Sequence, residues 1–375
     1  MTVQIFRPLF HVDECLAEIR ECLEKGWTGL GFKTVQFEDA WKAYTGLAHA
    51  HFLNSATAGL HLAVNIFKHA LGWRDGDEII STPITFVSSN HVILYENLKP
   101  VFADVDEFLC LDPDDVERKI TERTRAVMFV GIGGNAGQLG RVAEICRKRG
   151  LKLILDAAHM SGTRLDGADP GHLADAAVYS YQAVKNLPTA DSGMLCFKDS
   201  ALDALARRQS WLGISKDTYE RAKDPGAYSW MYDVDTVGFK YHGNSIMAAI
   251  GMVQLKYLDK DNDFRRQVAG WYDAAFAGAN MVIPVPVAPG CLSSRHFYQV
   301  EVSDRATVIK ALNDHDIHPG VHYRDNTEYP MYKRARGTCP NAHRLSERVL
   351  SLPMQLELTR EDVEKVARVV LDAAS

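Results

Sequence analysis

YSYQAVKNLPTADSG (179–193) sets one lysine, Lys185, between a β-like run and a loop of small polar residues. Most lysines are solvated surface charges, so the meaning of this one depends on its surroundings. Just upstream, LKLILDAAH (151–159) reads as a buried strand with an acidic end at Asp156, and DAAVYSY (175–181) as the next strand. Strand signals also fall at GDEIISTPIT (76–85), PVFADVD (100–106), RAVMFV (125–130) and GMLCFK (193–198). Helical stretches lie between them, among them RVAEICRKRG (141–150), which ends at a glycine. This alternation predicts an α/β fold with a largely parallel sheet covered on both faces. Ser55–Thr57, Asp156 and Lys185 all fall where strands end, and ligands bind at that carboxyl edge in open α/β sheets.

The pattern changes after about residue 240. NSIMAAIGMVQLKYLDK (244–260) is a long apolar-striped helix. A βαβ-like remainder follows in HFYQVEV (296–302) and ATVIKALNDHD (306–316), with a final helix at EDVEKVARVVLDAA (361–374). The expected division is a large domain, 1–243, and a smaller C-terminal α/β domain, 244–375.

Composition bounds the function. A formal net charge of −6 gives no electrostatic reason to expect nucleic acid or an anionic membrane surface. The seven cysteines are an odd number without a CxxC pair, which argues against a disulfide framework or a zinc ribbon and for a reducing compartment. The histidines show no metal-ligand spacing, so no metal is expected. No apolar run approaches the roughly 20 residues needed to cross a bilayer, and the amino terminus lacks a signal peptide's pattern. The expectation is a soluble cytoplasmic protein.

The most conspicuous local motif is RAVMFVGIGGNAG (125–137). Gly131, Gly133 and Ala136 satisfy G-x-G-x-x-A between a strand and a helix, and Asp156 ends the following strand. Taken alone, this suggests an NAD-dependent oxidoreductase. It leaves residues 54–59 and Lys185 without roles, however, and a glycine-rich turn also serves simply to reverse the chain.

Pyridoxal phosphate accounts for more. It needs a lysine, a carboxylate for its pyridine nitrogen, backbone N–H groups and hydroxyls for its phosphate, and an aromatic face. NSATAGLHLAV (54–64) offers Ser55, Ala56 and Thr57 at a helix start, where the same hydroxyls could equally be ordinary caps. Phe86 lies in a loop after a strand, where an aromatic could also be core. Asp156 could be only a helix cap, and gains weight from its pairing with Lys185.

In order along the chain, FE (37–38), HAHFLNSATAGLHLAV (49–64), GDEIISTPITFVSS (76–89), DAAH (156–159), YSYQAVKN (179–186), VGFKYHGNSIMAAIGMVQL (237–255) and SLPMQLELTREDVEKV (351–366) resemble the DegT/DnrJ/EryC1/StrS family. These are fold type I sugar aminotransferases that use pyridoxal phosphate, and the resemblance spans nearly the whole chain. It implies that Lys185 is the Schiff-base lysine and Asp156 the partner of the pyridine nitrogen. His159 falls beside the ring, Phe86 on the stacking position, and Ala56, Thr57 and Ser180 on phosphate-binding positions. Lys240, where the family often has asparagine, falls where the neighbouring subunit reaches the phosphate, which implies a homodimer with shared sites. Glutamate is the implied donor and a nucleoside-diphosphate ketosugar the implied acceptor; glutamine-dependent amination of a cyclitol remains open. A dehydrating branch has histidine at the lysine position, so Lys185 favours transamination. Ala56 replaces a common glycine, and TADSG (189–193), GIGGNAG (131–137) and HYRDNTEYPMY (322–332) depart from the family pattern. These loops bear on the substrate, and His322 is a candidate to contact it or to serve structure.

Overall fold

The structure, a computed structural model, describes residues 2–215, 219 and 231–374. Its first part contains β1 (His51–Leu53), β2 (Glu78–Ser81), β3 (Lys99–Phe102), β4 (Thr124–Val130), β5 (Lys152–Asp156), the short β6 (Arg164–Leu165), β7 (Ala176–Ser180) and β8 (Gly193–Phe197). The helices there are α1 (Val12–Glu24), α2 (Phe32–Thr45), α3 (Ala56–Ala70), α4 (Ser88–Tyr95), α5 (Pro113–Lys119), α6 (Leu139–Arg149) and α7 (Ser200–Ser210). Seven strands form one sheet in the order β1-β8-β7-β5-β4-β2-β3. The pairs from β7 through β3 are parallel, and β8 runs antiparallel to both β7 and β1.

Both faces of this sheet are covered, which is why its strands read as continuous apolar runs instead of alternating ones. Along β4, Ala126 and Met128 enter a core with α3 and α4, while Val127 and Phe129 enter the opposite core with Trp41 of α2 and Val142 of α6. All four are fully buried.

The second part begins with the long helix α8 (Ser245–Ala275), followed by β9 (Val282–Pro284), β10 (Cys291–Leu292), β11 (Tyr298–Val302), α9 (Arg305–Asp314), α10 (Pro340–Arg348), β12 (Val349–Leu352) and α11 (Arg360–Ala374). The Asn244 side chain caps α8 by accepting from the Met247 N–H. Early in α8, Ala248 and Leu258 join the core of the large sheet; later, Val268, Ala269 and Tyr272 join a separate core with β9, β11, β12, α9 and α11.

One expectation changes here. A βαβ-like remainder suggests parallel strands, yet β11 pairs antiparallel with both β12 and β9. The physical reason lies in the connection. After α9 the chain crosses to the large sheet, where Asn326 donates to the carbonyls of Pro83 and Thr85, both at 2.7 Å. It then returns through α10, which reverses the direction of entry into β12.

Candidate active site

β1, β5 and β7 point the same way, since β8 is antiparallel to both of its neighbours. Their carboxyl ends therefore share one edge, and the chain leaves them carrying Ser55–Thr57, Asp156 and Lys185.

Lys185 sits in a tight turn beyond β7, where its own N–H donates to the Gln182 carbonyl at 2.8 Å and the Gln182 side chain accepts from the Val184 N–H at 3.0 Å. The residue as a whole is partly accessible, while its amine is largely withdrawn from water. Desolvation lowers its pKa to about 8, and the Asp156 carboxylate counters this only in part. Among the described residues the amine has neither a hydrogen bond nor an ion pair.

Asp156 ends β5 and is buried. Ser89, in the first turn of α4, donates to its Oδ2 at 2.7 Å, and the Ala158 N–H donates to Oδ1 at 3.1 Å. Burial raises the carboxyl pKa, and the two hydrogen bonds and Lys185 offset this only in part. A carboxylate so placed is ready to receive an N–H from an aromatic ring nitrogen.

His159 is buried beside it. Its Nδ1 accepts from the Gly133 N–H at 3.3 Å, so in the neutral ring Nε2 carries the hydrogen and faces the Tyr323 hydroxyl at 3.3 Å. Burial, together with the charge of Lys185, holds its pKa well below the usual histidine range. The imidazole is thus a neutral, oriented ring. Phe86 lies at the mouth, 58% exposed, with its ring centroid 6.2 Å from that of Tyr323.

The start of α3 leaves backbone donors open. Ser55 caps it by accepting from the Ala58 N–H at 3.1 Å, while the N–H groups of Ala56 and Thr57 and the Thr57 hydroxyl have no partner among the described residues. Unpaired N–H groups at the positive end of a helix favour phosphate. Ser180 is buried at the end of β7, where its oxygen accepts from the Gln182 N–H at 3.4 Å and its own hydrogen remains available. Gly193 allows this assembly, because a Cβ there would lie 2.6 Å from the Ala56 nitrogen. Ala56 itself is the first helical residue and is not among those with positive φ, so the missing glycine causes no backbone strain.

Lys240 is exposed, with its Nζ 3.5 Å from the centroid of the Trp211 ring. Its carbonyl accepts from the Asn54 side chain at 3.1 Å, which ties its strand-like segment to the start of α3. His322 is partly buried: its Nδ1 lies 2.9 Å from the Ser351 hydroxyl, and its ring stacks on Phe297 with centroids 4.1 Å apart. Burial lowers its pKa to about 4, and Lys185 adds to the effect.

The glycine-rich turn serves packing. Gly133 and Gly134 have φ of +61° and +88°, and a Cβ at Gly131 would fall 2.0 Å from the Met160 sulfur. Residues 131–136 of this turn are buried against the protein's own side chains, and its Gly133 N–H is spent on His159. A dinucleotide-binding turn needs those N–H groups open to a pyrophosphate, so the oxidoreductase reading finds no support here.

Sequence reasoning missed Ser89, Tyr323, His296 and Asn186. Tyr323 adjoins His322 and His296 opens the HFYQVEV strand signal, but no spacing rule links either to Lys185.

These residues fit pyridoxal phosphate on what the structure presents: an unpaired helix start, an exposed aromatic, a neutral ring, a buried carboxylate and a desolvated lysine converge on one sheet edge. The comparisons agree. The sequence model of the DegT/DnrJ/EryC1/StrS aminotransferase family matches residues 11–371. Spore coat polysaccharide biosynthesis protein SpsC of Bacillus subtilis is 35% identical over 97% of this chain and 95% of its own length. The dTDP-4-dehydro-2,3,6-trideoxy-D-glucose 4-aminotransferase of Saccharopolyspora spinosa is 33% identical, with the same coverage of both chains. In structure, aminotransferase TlmJ from Streptoalloteichus hindustanus superposes with a TM-score of 0.91 at 32% identity, over 100% of this chain and 99% of its own. The chain belongs to the DegT/DnrJ/EryC1/StrS aminotransferase family, whose members are pyridoxal-phosphate-dependent sugar aminotransferases.

Proposed function

We propose that the protein moves an amino group from glutamate to a ketosugar linked to a nucleoside diphosphate, of the 3- or 4-keto, 6-deoxy type, in the making of an amino sugar. The observation that carries this reading is the desolvated Lys185 amine beside the buried Asp156, at the edge where α3 leaves its first N–H groups unpaired. The name of the Saccharopolyspora relative supports a nucleotide-linked sugar.

In this reading Ala56, Thr57 and Ser180 hold the cofactor's phosphate, Phe86 and His159 flank its ring, and Asp156 accepts a hydrogen bond from the ring nitrogen. When bound, pyridoxal phosphate supplies the carbonyl carbon and the electron sink for amino transfer. Lys185 takes a proton from the substrate carbon and returns one in the reverse sense. A pKa of about 8 leaves its amine close to balance between base and acid near neutral pH. Asp156, oriented by Ser89, presents its carboxyl to the ring nitrogen. The donor departs as its 2-oxo acid, and the acceptor C=O becomes CH–NH2. Lys240 of one subunit serves the phosphate of the other in a homodimer, and residues 1–243 form the large cofactor-binding domain with 244–375 as the smaller C-terminal domain.

Glutamate added to the cofactor-loaded enzyme without acceptor should release one equivalent of 2-oxoglutarate per site, and a panel of nucleotide ketosugars should then consume the stored amine. Absence of 2-oxoglutarate would overturn the donor. Consumption by a free cyclitol ketone in place of every nucleotide sugar would overturn the acceptor.

A further inference from the structure

Three histidines, His159, His296 and His322, are coupled electrostatically to Lys185, and one of them, His296, has a ring nitrogen buried without a partner. His296 is 1% exposed, and its Nδ1 lies 2.9 Å from the Asn186 Oδ1. The Asn186 amide nitrogen donates to the Asn262 Oδ1 and the Ser294 carbonyl, both at 2.7 Å. Those acceptors fix the orientation of the amide, so its oxygen faces His296 and Nδ1 must carry the hydrogen. Nε2 is therefore a bare lone pair, and it is buried without a hydrogen-bond partner. A buried, unpaired acceptor costs free energy and marks a place for a donor.

The ring is held firmly. It stacks on Phe6 with centroids 5.2 Å apart and an interplanar angle of 3°, and it lies 4.6 Å from the His159 ring. Because Asn186 follows Lys185 in the chain, the network that fixes the imidazole also fixes the backbone beside the lysine. Among charged neighbours Lys185 acts on this ring most strongly, ahead of His159, Arg265 and His322. The groups coupled electrostatically to Lys185 are Asp156, His159, His296 and His322. His159 already uses both nitrogens, on Gly133 and Tyr323, and of the three histidines only His296 carries a ring nitrogen that is buried without a partner.

We infer that His296 is a positioning residue whose Nε2 accepts a hydrogen bond from the Lys185 amine when that amine is released from the cofactor and its stem swings toward the ring. The four rotatable bonds of the lysine stem allow it to swing aside, and the fixed tautomer of His296 offers it a buried acceptor. The inference rests on reading Lys185 as the lysine that carries the cofactor.

Asparagine at 296 can keep the donor at the Nδ1 position and loses the acceptor at Nε2; glutamine can return an oxygen near Nε2. In cofactor-free protein, competitive labelling of the Lys185 amine against pH should give a pKa about one unit lower in His296→Asn than in wild type, roughly the weight of one hydrogen bond to a charged group. His296→Gln should recover most of that shift. A purely structural histidine would leave the titration unmoved in His296→Asn, or move it equally in both variants, and either result overturns the inference. A second measurement leaves position 296 intact. The 15N signal of His296 Nε2 should change between wild type and Lys185→Met while Nδ1 stays still; an unchanged Nε2 signal also overturns the inference. Failure of the underlying reading shows separately, as a Lys185→Ala variant that keeps the wild-type visible band with pyridoxal phosphate.

Discussion

Replacing Lys185 by methionine should stabilise the cofactor-free protein at pH 7. Methionine keeps an unbranched stem of similar length and removes the amine. Folding lowers the lysine pKa from 10.5 to about 8, so the folded chain holds the charged form at a cost. Each unit is worth 1.36 kcal/mol, which sets an upper bound of ~3 kcal/mol; the partial accessibility of the residue reduces the expectation to about 1–2 kcal/mol. The sign follows from linkage. Below pH 8 both states are protonated and the folded state bears the whole penalty. Between pH 8 and 10.5 the unfolded chain binds more protons, so wild-type stability rises with pH relative to the variant, and above that window the contribution is flat. Urea unfolding of both proteins without cofactor, at pH 7 and pH 10, reads the difference directly. The variant should lead at pH 7, and its lead should shrink by pH 10. A variant no more stable at pH 7, or a gap independent of pH, would refute the claim that the fold strains this amine.

Other sites make separable predictions. Phe86→Ala should leave unfolding of the cofactor-free protein within about 0.5 kcal/mol, because an exposed ring contributes little, yet weaken pyridoxal phosphate roughly threefold to tenfold through lost stacking; fluorescence titration and urea curves measure the two effects. Gly193→Ala should press a methyl on the Ala56 nitrogen, destabilise the protein by about 1–3 kcal/mol and lower affinity for inorganic phosphate, read by calorimetry. Lys240→Met should weaken pyridoxal phosphate several-fold while leaving unphosphorylated pyridoxal unchanged in the same titration, and equal losses for both would remove the phosphate role.

How much of this was legible in the sequence differs from residue to residue. Asp156 and Lys185 could be placed because each follows a run of buried strand residues, and in a parallel sheet such runs end on one edge. Ser55–Thr57 could be placed because two hydroxyl residues, Ser55 and Thr57, just ahead of AGLHLAV mark a helix start. Ser89, Tyr323 and His296 could not, since they reach the site through tertiary contacts with no repeat or spacing behind them. The glycine-rich turn misled in the other direction. Positive φ at Gly133 and the close approach of Met160 to Gly131 require glycine for packing, and the same letters satisfy a nucleotide motif. In the C-terminal part, period-two patterning marks HFYQVEV as a strand but carries no information on the direction in which its neighbours run.

The central claim, that Lys185 is the lysine through which this chain holds and uses pyridoxal phosphate, is tested most directly by a visible absorbance spectrum. Wild type and Lys185→Ala are each loaded with the cofactor and scanned before and after glutamate. The account predicts a yellow wild-type protein whose visible band bleaches with glutamate, and a variant that lacks that band even where cofactor remains bound. A variant with the same band and the same bleaching would contradict it, as would a wild type that stays colourless with added pyridoxal phosphate.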